Sequence, residues 1–189
     1  MQKDKLTIKA KSEGYKARSV YKLLDINRKY KLIKKGDFVL DLGCWPGSWL
    51  QACLEMQAKV IGVDLRDTKI NGAETYKLDV MDNGFMGLLK DEIKEERFDA
   101  VLSDLAPNTT GHIEADQYRS YELSERAFEV AKAVLKPGGN FLAKIFQSKE
   151  ADDFLAELRK WFKFVKAVKP EGSKKRSREI YYVCTGYKG

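Results

Sequence analysis

Phe38-Val39-Leu40-Asp41-Leu42-Gly43-Cys44-Trp45-Pro46-Gly47-Ser48-Trp49, residues 38–49, reads as a short apolar strand that runs into a glycine turn and then into a helix. Phe38–Leu42 is the strand, cut off by Gly43, Pro46 and Gly47, and the helix extends from about Ser48 to Gln57. Glycine permits positive φ and lets a ligand come close to the backbone. The turn is not a GxGxxG sequence, which argues against the pyrophosphate grip of NAD or FAD.

The same alternation continues on both sides. Before it, Val20, Leu23, Leu24 and Ile26 recur at helical spacing and predict an amphipathic helix over Ser19–Lys31. After it come strands at Val60–Val63 and Thr75–Leu78, a short helix at Leu88–Lys94, and an apolar strand at Phe98–Leu102 typical of a buried parallel sheet. A long helix over Gln117–Leu135 ends at the stop signal Lys136-Pro137-Gly138-Gly139. A strand at Asn140–Phe146, a helix at Ala151–Phe162, and strands at Phe164–Val168 and Ile180–Cys184 close the chain. Strands alternating with helices imply an α/β, Rossmann-like single domain, with helices on both faces of a mostly parallel seven-stranded sheet. No helix fits in the loop Lys169–Arg178, so a hairpin there makes one terminal strand antiparallel. There is no internal repeat or linker. Residues 1–17 read as a basic N-terminal segment and 18–189 as the domain proper.

In such sheets ligands sit beyond the carboxyl ends of the strands. The first strand leads into the Gly43–Gly47 turn. The second ends in Asp64, 23 residues after Asp41, where a carboxylate can accept hydrogen bonds from both hydroxyls of a ribose. The third ends in Asp79, placed to take the exocyclic amine of adenine, and the fourth in Ser103-Asp104-Leu105-Ala106-Pro107-Asn108. Without a phosphate-cradling loop, the ligand that fits is an adenosine whose tail is not a polyphosphate. S-adenosylmethionine suits this acidic centre because its sulfonium is a cation, whereas ATP or NAD would be repelled.

These segments together resemble a known family. The turn Asp41–Trp49, SDLAPN at 103–108, KPGG at 136–139 followed by AKIFQ at 143–147, and SREIYYV at 177–183 are similar, in content and order, to the FtsJ/RrmJ-type ribose 2′-O-methyltransferases. The resemblance runs from about Arg18 to Gly186 and implies the fold of S-adenosylmethionine-dependent methyltransferases. It also implies a catalytic tetrad of Lys22, Asp104, Lys144 and Glu179. Cofactor positions carry over to Gly43, Gly47, Trp49, Asp64, Asp79 and Asp104, with no metal. Cys44-Trp45 stand where the family often has small residues, a departure at the methionine end of the pocket.

The chemistry asks for such groups independently. A 2′-hydroxyl is a poor nucleophile and must lose its proton as the methyl group arrives. A neutral amine is a competent base, but a free lysine is protonated at pH 7. A second ammonium and partial desolvation favour the neutral form. Lys144, in an otherwise apolar strand, is the expected base, with Lys22, Asp104 and Glu179 tuning and positioning it. His112 reads as an exposed loop histidine and Cys44 as inert.

The charge distribution speaks to the substrate. The 189 residues carry a net charge of +7. Residues 1–36 hold 12 Lys/Arg against 3 Asp/Glu, residues 159–189 hold 10 against 2, and the middle holds 13 against 23. Two basic ends around an acidic centre favour a polyanion partner. Lys9, Lys11, Lys16 and Arg18 precede Lys22, and Lys174-Lys175-Arg176-Ser177-Arg178 precede Glu179, so both clusters are expected at the mouth of the tetrad, gripping phosphates. Only RNA offers a 2′-hydroxyl. Within the family the chain looks most like the enzymes that methylate a uridine ribose in large-subunit ribosomal RNA. The alternatives are a tRNA anticodon loop as substrate, a non-catalytic RNA-binding module on the same fold, and a small-molecule methyltransferase. Three cysteines without a CxxC pair, no secretory signal and no apolar run near the roughly 20 residues of a membrane span fit a cytoplasmic protein. A monomer is expected.

Overall fold

The structure, a computed structural model, describes residues 5–93, 97–171, 173 and 177–189. In chain order the elements are α1 (Lys5–Ser12), α2 (Val20–Tyr30), β1 (Phe38–Leu42), α3 (Ser48–Glu55), β2 (Lys59–Asp64), β3 (Glu74–Lys77), α4 (Phe85–Ile93), β4 (Phe98–Ser103), α5 (Ile113–Val134), β5 (Leu135–Phe146), α6 (Lys149–Trp161), β6 (Phe162–Val168) and β7 (Glu179–Tyr187).

Most elements lie where the hydrophobic periodicity puts them, and the departures have local causes. α1 falls inside the segment read only as basic; it buries Ala10 alone, too little to leave an apolar stripe in the sequence. α5 starts four residues earlier than expected, with Glu114 and Asp116 in its first turn, where carboxylates face the positive end of the helix dipole. The stop signal at Lys136–Gly139 does end α5, but it then bulges within β5. Phe98 pairs with Leu135 and Ala100 with Asn140, so one intervening residue of β4 faces four of β5.

The seven strands form one sheet in the order β3-β2-β1-β4-β5-β7-β6. β1 to β5 pair in parallel, and β7 runs antiparallel to both β5 and β6. The antiparallel strand is the last in the chain, as expected, yet it inserts inside the sheet and leaves β6 at the edge. Its reversed direction matters: β7 begins at the edge where the parallel strands end.

Both faces are covered. Alternate residues of one strand go to opposite sides, as a pleated strand requires. Leu40, Val101 and Phe141 pack with Phe128 and Leu158 on the side of α4, α5 and α6. Val39, Leu102 and Leu142 pack with Leu23 and Leu50 on the side of α2 and α3. Among the described residues no helix is long and apolar enough to cross a membrane.

Candidate active site

The carboxyl ends of the parallel strands carry the polar groups in spatial order. Asp79 lies two residues past β3 and Asp64 ends β2. The Gly43–Gly47 turn follows β1, Asp104 follows β4, Lys144 lies near the end of β5, and Glu179 opens β7. The four groups expected as a tetrad meet at the β4–β5–β7 end of this edge. Lys144 Nζ lies 3.0 Å from Asp104 Oδ1 and donates to the Asp104 carbonyl at 2.7 Å. Lys22 Nζ donates to Glu179 Oε2 at 3.0 Å.

A fifth group joins the two ion pairs. Tyr181 donates its hydroxyl proton to Asp104 Oδ1 at 2.7 Å and accepts from Lys22 Nζ at 3.3 Å. Sequence reasoning passed over it, because a tyrosine in an apolar strand reads as core. The strand period contained the signal: Glu179 and Tyr181 are two residues apart and share a face. The ladder completes the arrangement, since Lys144 pairs with Tyr181 and Phe146 with Glu179, and directly opposed residues point to the same side.

The backbone beneath is held from several directions. Ser124 Oγ, buried in α5, donates to the Lys144 carbonyl at 2.8 Å. Trp49 Nε1 donates to the Ser19 carbonyl at 2.9 Å, and the Ser19 and Ser48 hydroxyls are 2.9 Å apart, which ties α3 to the start of the helix carrying Lys22. Trp49 is buried with its ring 6.0 Å from that of Tyr181, so its polar atom is engaged inside the protein and only the ring is left to bound a pocket.

Lys22 and Lys144 are 8% and 5% exposed. Removing charges from water is costly, and a buried ion pair often stabilises no more than a well-packed apolar pair would. Two such pairs bridged by a tyrosine are therefore weak evidence of a purely stabilising role. Burial alone would raise the Glu179 carboxyl, but the Lys22 ammonium, its hydrogen bond and the charge of Lys144 outweigh it and hold the group below the usual range. Burial, followed by the charge and hydrogen bond of Asp104, pushes the Tyr181 hydroxyl far up, so it remains a donor.

The acceptor set at the other end fits an adenosine. Asp64 is oriented by two backbone amides, Trp45 N to Oδ2 at 3.0 Å and Arg66 N to Oδ1 at 2.9 Å, and it stays partly open to solvent. Asp79 is exposed and accepts from Met81 N at 2.9 Å. Each carboxylate keeps lone pairs for ribose or amine donors. Leu65 and Met81, exposed by 63% and 47%, stand in sequence beside them and offer apolar surface to a base. Trp45, the bulky departure in the turn, is 48% exposed beneath the Arg66 guanidinium, 4.3 Å from the ring centroid. Gly43 and Gly47 have φ of 81° and 105°. A Cβ on Gly47 would come within 2.5 Å of Ile70. The fold thus needs glycine there to bring the turn against its neighbours.

His112 is exposed at the start of α5, and among the described residues no cluster of metal-ligating side chains occurs. Burial pushes the Cys44 thiol up to about 12, which suits an inert residue. Tyr187 is buried against Phe162. Tyr15 and Tyr21 donate their hydroxyl protons to Glu55 and Glu13. Of the second basic cluster, Arg178 is exposed at the mouth, and Lys174, Lys175 and Arg176 lie outside the described residues, as do residues 1–4 of the N-terminal segment and Lys94 of the expected short helix.

Known proteins share this plan. Ribosomal RNA large subunit methyltransferase E of Archaeoglobus fulgidus is 42% identical over 176 residues, 93% of this chain and 91% of its own. The protein of the same name from Wolbachia pipientis is 38% identical over 187 residues, 98% of this chain and 96% of its own. A crystal structure of a provisionally assigned ribosomal RNA methyltransferase from Plasmodium falciparum superposes with a TM-score of 0.83 at 29% identity, covering 93% of this chain and all of that one. The profile of the FtsJ-like methyltransferases matches residues 15–187, which takes in both lysines, both acids and the whole strand-end arc. With its fold and the order of its polar groups accounted for in this way, the chain belongs to the FtsJ-like methyltransferase family, enzymes that draw on a methyl donor.

Proposed function

We propose that this protein transfers the methyl group of S-adenosylmethionine to a ribose 2′-hydroxyl, at a uridine of large-subunit ribosomal RNA, acting in the cytoplasm as a monomer. One observation carries the reading: Lys22, Asp104, Lys144 and Glu179, from α2, the loop after β4, β5 and β7, form two ion pairs of 3.0 Å at one sheet edge. The names of the relatives support the ribosomal substrate.

Asp64 and Asp79 would hold S-adenosylmethionine along their arc, where it would supply an electrophilic methyl group and be released as the neutral thioether S-adenosylhomocysteine. Asp64 receives the ribose hydroxyls and Asp79 the adenine amine. The backbone of Gly43 and Gly47, with the Trp49 ring, bounds the methionine end. Lys144 Nζ, once its own ammonium proton has passed to solvent, takes the proton of the 2′-hydroxyl as the new C–O bond forms. Asp104, held by Tyr181, fixes the direction of that amine. Glu179, held by Lys22, orients the attacking oxygen. Lys9, Lys11, Lys16, Arg18 and the basic residues ahead of Glu179 hold phosphates without reading bases, a grip that is independent of sequence and weakened by salt.

The test is tritium transfer from labelled S-adenosylmethionine, offered purified large ribosomal subunits and bulk tRNA in parallel, with ribose methylation mapped afterward. Label in the subunits supports the reading, label in tRNA alone moves the substrate to the anticodon loop, and label in neither overturns it. Replacing the base should be decisive for mechanism. Lys144→Ala is expected to lower kcat by about 10²–10⁴-fold with S-adenosylmethionine affinity nearly unchanged, measured by calorimetry. Full activity in that variant would overturn the assignment.

A further inference from the structure

A cavity of about 270 Å³ opens beside Glu179, lined by Ile113 and Gln117 of α5, Phe146 at the end of β5, and Ser177 and Arg178. The sheet order sets its place. The carboxylates that suit the cofactor belong to β2 and β3, whereas Lys144 and Glu179 belong to β5 and β7 at the other side of the arc. A nucleotide whose 2′-oxygen lies at Lys144 has the β5–β7 side left for its base. Phe146 pairs with Glu179 in the ladder, so its ring flanks the tetrad one step farther out than Lys144.

Size and chemistry narrow the occupant. The volume is below the roughly 300–1,000 Å³ of sites for drug-sized ligands and suits one flat ring system. Phe146 offers a stacking face, and Ile113, 52% exposed, offers apolar surface. Asp116 also reaches the cavity, but its carboxylate accepts from Thr110 N, the Thr110 hydroxyl and Gly111 N. Gln117 is oriented by its neighbour: its Nε2 donates to the Gln147 carbonyl, which can only accept, so Oε1 is the atom left to accept from a ligand. Arg178, exposed at the rim, supplies donors. An acceptor beside a donor matches a ring N–H next to a carbonyl, the edge shared by uracil and guanine. Cytosine and adenine present a lone pair at that ring nitrogen.

We propose that this cavity receives the base of the nucleotide being methylated, turned out of its stack, with Phe146 stacking on it and Gln117 and Arg178 reading its N–H/carbonyl edge. The inference rests on the 2′-O-methyl-transfer reading. Extruding a base costs stacking energy that a closely fitting pocket recovers.

The test uses large ribosomal subunits reconstituted from unmodified rRNA transcripts in which the mapped target is U, G, C or A. The enzymes are the wild type, Phe146→Ala, Phe146→Tyr and Gln117→Leu. Phe146→Ala is expected to lower kcat/KM for RNA by about 5- to 150-fold, the span of one base–aromatic stack, with S-adenosylmethionine affinity unchanged. Phe146→Tyr restores most of the loss, which a general packing defect would not allow. Wild type prefers U or G, whichever of the two the site takes, and Gln117→Leu flattens that preference. Wild-type kcat/KM and intact base preference in both Phe146→Ala and Gln117→Leu, or a wild-type preference for C or A, overturn the pocket while leaving methyl transfer in place. A wild type that binds S-adenosylmethionine but labels no transcript overturns both.

Discussion

Tyr181 has no charge at neutral pH, yet it connects the two ion pairs that define the site. Its hydroxyl is both donor to Asp104 and acceptor from Lys22, so one deletion loosens both lysines. Tyr181→Phe keeps the ring against Trp49 and removes only the link. We expect a roughly tenfold fall in kcat with little change in the KM for either substrate, read from steady-state kinetics, because a misdirected catalytic group costs rate more than binding. Lys22→Met tests the other pair. The folded-state Glu179 carboxyl sits below its usual value, so its contribution to stability is full above that value and fades as pH falls through the folded one. Without Lys22 the burial that raises it goes largely unopposed. The Glu179 titration, followed by carbon NMR, should move upward, acid unfolding should begin at higher pH, and stability at pH 7 should fall by about 3 kcal/mol. Unchanged titration would mean the pair is not formed. The family resemblance placed all four tetrad positions, and Lys144 was legible in its own right as a lysine in an apolar strand. Tyr181 was not, because tyrosine in the same setting is ordinary.

At the scale of elements, the turn from β1 into α3 is the most constrained connection. Gly47 has a φ that L-residues rarely adopt, and the space a Cβ would need is filled by Ile70. Gly47→Ala should cost about 2–4 kcal/mol in urea unfolding, from backbone strain plus overpacking. A loss under about 1 kcal/mol would show that Ile70 yields. This turn was readable from Gly43, Pro46 and Gly47 alone, as were the strand ends at Asp64 and Asp104, since punctuation and apolar runs are local signals. Two features were less so. The bulge at Lys136–Gly139 depends on how β5 pairs with β4, and the place of β7 inside the sheet depends on its pairing with β5, far away in sequence. No local pattern encodes either.

For the whole molecule, the charge partition should separate the two substrates. On the proposed function the cofactor end carries the carboxylates Asp64 and Asp79 and the RNA meets the basic termini, so RNA affinity should fall steeply with salt while S-adenosylmethionine affinity changes little. Replacing Lys9 and Lys11 together by Gln is expected to flatten the log–log salt slope by about 0.7 for each single-strand phosphate that is no longer neutralised, in fluorescence anisotropy, with kcat at saturating RNA retained. An unchanged slope would remove α1 from the RNA surface. The inserted β7 has one more effect, on the timing of assembly. Asp104 and Lys144 are 40 residues apart, whereas Lys22 and Glu179 are 157 apart. Closing the longer loop costs roughly 1 kcal/mol more in chain entropy, at about 0.6 kcal/mol per doubling. The chain through β5 carries Asp64, Asp79, Asp104 and Lys144, whereas Glu179 and Tyr181 come only with the final strand. On the proposed function, the strand that completes the sheet is thus the safety catch on the chemistry: the carboxylates proposed to hold the methyl donor precede it in the chain, whereas Glu179 and Tyr181 arrive only with it.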